Sequence, residues 1–334
     1  LPIGLGRGYD AVPDVFIPSV ATQIGFATSW MNPFSVAIAQ GIAGVPMLSG
    51  AGFRIAMWAF FTALGIVFTL VYARRVKKNP SLSVSYESDD FFRKDFKERA
   101  EIKAEYTLGH TLVLLTVLAA IVWVVWGVVG YGPGNGYYIP EIATIFFIMG
   151  IVAGLIGAIF KLDGMTTADI PEAFRSGAKD LVGAALVVGM AKGIVLVLGG
   201  DSPDTPNVLN TILHSVGGAI SGLPAAISAW LMYLFQAVFN FFVVSGSGQA
   251  ALTMPIMAPL SDIAGVTRQV SVLAFQLGDG FTNLIVPTSG CLMGVLGVAR
   301  LDWGKWARHQ IKFQGILFAA GSAFVLLAVV IGLA

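Results

Sequence analysis

Cysteine, histidine and charge are all scarce in this sequence. The single cysteine, Cys291, excludes an intrachain disulfide and any cysteine-based metal site. The three histidines, His110, His214 and His309, are scattered and show no ligand spacing, so no metal centre is expected. Charged residues make up 12% of the chain, against roughly 25% in a soluble domain. The net charge of +1 gives no electrostatic case for a nucleic-acid partner, and none is expected. Alternating polarity in runs of about ten residues is missing as well, which argues against a transmembrane β-barrel. No secretory signal peptide is visible at the start, which is Leu1 rather than a methionine.

What remains is apolar and comes in blocks. Hydrophobic residues make up 56% of the 334, and the mean hydropathy is +0.80. Blocks such as "MWAFFTALGIVFTLVYA" and "TLVLLTVLAAIVWVVWGVVGY" approach or reach the roughly 20 residues a helix needs to cross a bilayer. The expected fold is an all-α polytopic membrane protein. Candidate spans lie at 12–46 (long and interrupted), 54–73, 108–131, 140–160, 181–199, 268–299 (interrupted again) and 310–333. An apolar region with a polar tip occupies 223–260. The stretch Arg74–Glu105 holds nine Lys/Arg and seven acids and reads as a solvated linker, while Thr166–Lys179 reads as a short amphipathic helix at the interface.

Basic residues set the orientation. With the linker inside and 223–260 entering and leaving from the outer side, 17 of the 20 Lys/Arg fall on the inner side. Arg54 and Arg268 then fall outside, and Lys192 lies within a span, close enough to its end to snorkel. Had 223–260 crossed once, the basic segment around Lys305 would lie outside, against the rule. The region is therefore expected to be a re-entrant hairpin with its tip at Ser245–Gln249.

The two interrupted spans resemble each other. "ATQIGFATSWMNPFSVAIAQGIAGV" from Ala21 aligns with "AFQLGDGFTNLIVPTSGCLMGVLGV" from Ala274. Gln23 meets Gln276 and Gly25 meets Gly278; after a one-residue gap, Pro33 meets Pro287 and Ser35 meets Ser289. Pro2 and Gly8 have the spacing of Pro259 and Gly265. In the orientation above the copies run in opposite directions, so an inverted repeat is expected. Broken helices at matching positions of inverted halves point to a transporter's binding site. A broken helix leaves amides and carbonyls unpaired, which hydrocarbon does not tolerate unless the break is buried in protein or lines a wet cavity. The half-helix N-termini then suit an anionic group, and freed carbonyls and hydroxyls suit a small cation. A first hairpin to match 223–260 should lie upstream of Leu1, so an N-terminally truncated chain is expected.

At this point "SGSGQAALTMP", "AFQLGDGFTN", "ATQIGFATSWMNPF" and "YARRVKKNP" resemble the YfcC-type proteins of the C4-dicarboxylate anaerobic carrier-like family, within the ion transporter superfamily. The resemblance covers essentially the whole chain. It implies a bacterial inner-membrane secondary transporter or antiporter, a homodimer with a scaffold and an elevator-like transport domain. The substrate it implies is a small carboxylate-bearing metabolite, either a C4-dicarboxylate or a basic amino acid such as arginine or ornithine. On this reading residues 1–74 end the first repeat, 75–106 are a charged cytoplasmic linker, 107–200 are scaffold-type spans with the interfacial helix, and 201–334 are the second repeat.

The candidate site residues sit at the breaks and the tip. Asp279 is the only formal charge in its segment and suits a proton, a sodium ion or a substrate ammonium group; the bland alternative is a carboxylate that caps nearby amides. Phe26 stands at the matching place in the first repeat. Thr282 and Asn283 suit a cation or a carboxylate, or else satisfy broken backbone. Thr288 and Ser289 follow Pro287 at a half-helix start, where hydroxyls cap and anions bind. Ser29, Asn32 and Ser35 take the same parts in the first repeat. At the tip, Gly246 and Gly248 allow a tight turn and close approach, and Ser245, Ser247 and Gln249 supply polar groups. No cofactor is expected beyond possible Na+ or H+ coupling. No histidine lies in a broken-helix motif, so an enzyme is not expected; the rivals are an ion channel and a non-transporting membrane protein.

Overall fold

Apolar runs of this length satisfy their amides in hydrocarbon by becoming helices. In the computed structural model every regular element among the described residues is helical. Those residues are 11–32, 35–79, 83, 106–128, 137, 139–197, 199, 206–220 and 222–334. Pro2, Arg7, Gly8, Pro33 and the charged linker beyond Asn79, apart from Ser83, lie outside them, as does the side chain of Lys192; the first five linker residues, Arg74–Lys78, are the end of a helix rather than loop.

In chain order the helices are α1 (Ala11–Thr28), α2 (Val36–Ala43), α3 (Ala51–Lys78), α4 (Leu108–Val128), α5 (Ile139–Ile159), α6 (Asp169–Val197), α7 (Val208–Ile220), α8 (Ala225–Phe239), α9 (Gly246–Ile263), α10 (Arg268–Thr282), α11 (Gly290–Val298) and α12 (Trp303–Val330). Four stretches are long and apolar enough to cross a membrane: Ala51–Lys78, Leu108–Gly127, Pro140–Ile159 and Trp303–Val330. The 12–46 and 268–299 spans are indeed interrupted, at 29–35 and 283–289. Each interrupted span is a helix, a short break and a half-helix, and each is followed by a helix of 28 residues, α3 or α12.

Two expectations change. The interfacial helix at 166–179 and the span at 181–199 are one helix, α6. Its Pro171 falls in the first turn, where no intrahelical donor is lost, and the glycines further on lower helix propensity by only about 1 kcal/mol each. The helix α7, ahead of the hairpin, has no counterpart in the sequence reading.

The chain forms two compact units, residues 97–180 and residues 1–96 with 181–334. In the first, α4 and α5 pack on each other. In the second, α10 is the central helix. It packs against α1, α2, both hairpin arms α8 and α9, and α12. Every residue from Gln269 to Phe281 is buried. An aromatic cluster ties α1, α3 and α12 together: Phe68 stacks on Phe313 at 4.2 Å, Phe61 meets Phe324 at 5.4 Å, and Phe16 meets Trp306 at 5.3 Å. Such pairs contribute about 0.5–1.5 kcal/mol each beyond the area they bury. Rising numbers on α3 meet falling numbers on α12, so the two 28-residue helices run antiparallel.

Candidate functional site

Asp279 does not lie in the second break. It belongs to the last turn of α10, and the break begins four residues later, at Asn283. The glycines on either side of it have a packing reason. A Cβ on Gly278 would stand 2.6 Å from Gln236 Cβ and 2.8 Å from the Ala237 amide nitrogen of α8. A Cβ on Gly280 would stand 2.3 Å from Ala27 Cβ of α1. No side chain fits at either place. The sequence "GDG" is therefore what lets α1 and α8 close on α10 at the level of the carboxylate.

The carboxylate itself points at the start of α9. A Cβ on Gly246 would lie 3.2 Å from Asp279 Oδ2, 3.1 Å from Ser35 Cβ and 2.7 Å from the ring edge of Phe26. The hairpin tip, the second interrupted helix and the first break thus meet at one point. Asp279 is fully buried, and neither carboxylate oxygen accepts a hydrogen bond from the described residues. Ser35 Oγ nearby is likewise unbonded; although Ser35 precedes α2, its side chain does not cap it. The N-terminus of α9 offers Asp279 a partial positive charge, worth about 2 kcal/mol at most even when partly buried. An ionised carboxylate buried without a partner costs several kcal/mol unless a cation or a proton completes it.

Around that point most of the other candidates are committed to the fold. Asn240, in the hairpin turn, donates from Nδ2 to the Asp279 carbonyl at 3.0 Å, to Thr282 Oγ1 at 2.7 Å and to Asn283 Oδ1 at 2.8 Å. Thr282 also donates to the Gly278 carbonyl at 2.7 Å. Thr288 donates to the Phe241 carbonyl at 2.8 Å, which pins the break to the hairpin turn. Ser289 caps α11 by accepting from the Leu292 amide at 3.4 Å. Ser245 caps α9 by accepting from the Gly248 amide at 3.2 Å. Ser247 is exposed at the tip. Gln249 is buried one turn in and donates from Nε2 to the Gln236 carbonyl and to Gln236 Oε1, leaving its own Oε1 unbonded. In the first break, Ser29 accepts from the Met31 amide at 3.3 Å, and Asn32 is buried with its carbonyl accepting from the Ala37 amide at 3.0 Å.

Sequence reasoning missed Asn240 and Gln236. The signal for Asn240 was available: it is the one amide in the apolar arm "AVFNFFVV". The side chain of Arg54 is fully buried and bonded to Gln276, Ser49 and Gln269. Gln276, matched with Gln23 in the repeat, holds the Ser29 carbonyl at the first break, 2.7 Å away. Arg268 does lie at an exposed end, where it grips Asp262 with two nitrogens and donates to the Ala43 carbonyl at 2.7 Å. An apolar groove of about 450 Å³ between α1 and α3 holds none of the candidate residues.

A buried carboxylate without a hydrogen-bond donor among the described residues, set where the start of α9 meets the first helix interruption, and four helices long and apolar enough to cross a membrane are together consistent with a helical membrane carrier. The profile of the C4-dicarboxylate anaerobic carrier family matches residues 1–330, and the chain belongs to that family, one of transporters. It is 52% identical over 332 residues to an Escherichia coli K12 protein named "Putative basic amino acid antiporter YfcC". It is 30% identical over 331 residues to an uncharacterized protein of Haemophilus influenzae. These alignments cover 99% and 98% of the chain but only 64% and 62% of the relatives, so the chain spans less than two thirds of their length. No solved structure matches it.

Proposed function

We propose that the chain carries the substrate site of a bacterial inner-membrane secondary antiporter for a basic amino acid of the arginine or ornithine kind. The observation that carries this reading is Asp279: a fully buried carboxylate with no donor from the described residues, facing the N-terminus of α9 and beside Ser35. An amino acid presents an ammonium group and a carboxylate together. The ammonium suits Asp279, and the carboxylate suits the amide-rich starts of α9 and α11. The name of the Escherichia coli relative supports the same substrate class. A second reading follows from the family's description: a C4-dicarboxylate at the helix starts, with Asp279 taking a coupling Na+ or H+.

Two features support an inverted-repeat carrier. The order helix, break, half-helix, 28-residue helix occurs twice, as α1–α3 and α10–α12. The hairpin arms α8 and α9 are 15 and 18 residues long and are joined by a six-residue turn, with α10 packed against both. In an elevator-type cycle of a homodimer, these elements would move as one body. Counterflow in proteoliposomes of the intact protein tests the reading, with arginine, ornithine, succinate and fumarate as substrates. Saturable exchange of arginine or ornithine is expected. Exchange of dicarboxylates alone would favour the second reading, and conductance without saturable exchange would refute both.

A further inference from the structure

The hairpin arm α8 packs against both α10 and α12. It comes closest at two glycines. A Cβ on Gly278 of α10 would stand 2.6 Å from Gln236 Cβ, and one on Gly321 of α12 would stand 2.5 Å from Tyr233 Oη. Along α12, Tyr233 stacks on Phe318 at 5.0 Å, and Trp230 Nε1 donates to Ser322 Oγ at 3.0 Å.

The first interrupted span has the matching groove, between α1 and α3, and it stands open. It is apolar and measures about 450 Å³. Gly25 of α1, which aligns with Gly278, lines it, and a Cβ there meets nothing within 4 Å among the described residues. Both α3 and α12 have 28 residues, so Ile66, Thr69 and Leu70 of α3 stand where Phe318, Gly321 and Ser322 stand in α12. All three line the groove. Ile66 and Leu70 are exposed, whereas Gly321 is buried and Phe318 and Ser322 are half-buried beside α8. Four positions that hold α8 in one copy therefore have open counterparts in the other. A glycine inside a helix costs about 1 kcal/mol relative to alanine. Close packing accounts for Gly278, and no described residue accounts for Gly25.

We propose that the groove between α1 and α3 is the docking surface for an apolar helix that lies upstream of Leu1 in the intact protein, the counterpart of α8. The inference rests on the inverted-repeat reading of the carrier. Lipid tails are as apolar as any helix, so hydrophobicity alone does not choose the occupant. The repeat chooses it: α8 precedes α10 in the chain, so its counterpart precedes α1. The relatives have the length for such a helix, since the alignments cover only 64% and 62% of them. Its side-chain ridge would sit in the groove, with Gly25 allowing the close backbone approach that Gly278 allows α8. Because α1 runs into the break before Ser35, docking there would also brace that edge of the site.

The test places a photo-reactive side chain on the groove wall, Ile66→p-benzoyl-phenylalanine, in the intact protein irradiated in its own membrane. The expected adduct joins residue 66 to a peptide from upstream of Leu1 and migrates as a single chain. Adducts with lipid alone, with a peptide from within 1–334 or with a second copy overturn the inference, as does the lack of any peptide adduct. Gly25→Leu gives an independent reading of the same intact protein. Leucine is the better helix former, so in an open groove the melting temperature stays or rises. In a filled groove leucine overpacks, and a fall of about 3 °C or more is expected. An unchanged or raised melting temperature overturns the inference, and where the variant cannot be purified the adduct decides alone. Neither measurement reads substrate, and labelling at Ala225 and Ile263 reads the repeat itself, so the proposals fail separately.

Discussion

Replacing Asp279 by asparagine is the sharpest perturbation of the proposed site. The amide keeps the size of the carboxyl group, and the close approach of α1 and α8 at Gly280 and Gly278 leaves it no other place to go. The carboxylate oxygens accept nothing from the described residues, so the fold loses no hydrogen bond there. The backbone carbonyl of residue 279 still accepts from Asn240. Folded protein with a melting temperature within a few degrees of wild type is expected. What disappears is the charge. A charge-assisted hydrogen bond to a buried carboxylate contributes roughly 1.5–3 kcal/mol, or about 10- to 150-fold in affinity. Exchange in proteoliposomes should therefore fall at least about tenfold at subsaturating substrate. Substrate-induced thermal stabilisation should shrink in parallel, by about RT ln of the ratio in affinity. The opposite pattern refutes the reasoning: near-wild-type exchange with the same sodium and pH dependence, or a large loss of stability with affinity retained, makes Asp279 a structural carboxylate. Asp279→Glu separates charge from position, and partial recovery of exchange is the expected outcome.

Three further outcomes follow from the packing. Gly280→Ala places a methyl group 2.3 Å from Ala27 Cβ and 2.5 Å from its Cα, so a loss of about 1–3 kcal/mol in chemical or thermal unfolding is expected, and an unchanged midpoint would show that α1 and α10 do not touch there. Asn240→Ala removes three hydrogen bonds that tie the hairpin turn to the end of α10; it should cost about 2–4 kcal/mol and lower exchange, whereas a neutral result would separate the turn from the site. In a Cys291→Ser background, which removes the exposed native thiol, cysteines at Ala225 and Ile263 should be labelled by an impermeant reagent from the same, outer side. Labelling from opposite sides would refute the hairpin and the repeat together.

Much was legible in the sequence because it depends on local chemistry. Hydropathy over some 20 residues marks a helix that can span; α4 and α5 lie within about three residues of the expected spans, whereas α3 runs five residues further and α12 begins seven residues earlier. Clustered glycine, proline and hydroxyl residues mark where a backbone ladder stops, and the interruptions after Thr28 and Thr282 follow. A lone carboxylate in an apolar helix is conspicuous whatever surrounds it, so Asp279 was visible from the start. Tertiary structure alone decided what those residues touch. The glycines beside Asp279 lie within α10, where they admit Ala27 of α1 and Gln236 of α8, neighbours that no local pattern names. The burial of Arg54 was not legible, because glutamines 215 and 222 positions away supply its acceptors. Thr282, Asn283 and Thr288 read equally as ligand groups or as groups that satisfy the chain itself, and the structure shows them bonded to the hairpin turn, through Asn240 and the Phe241 carbonyl. Helix formation and breakage are settled within a few turns of chain. The partner of a buried polar group is settled by which distant segment packs against it, and no local pattern carries that choice.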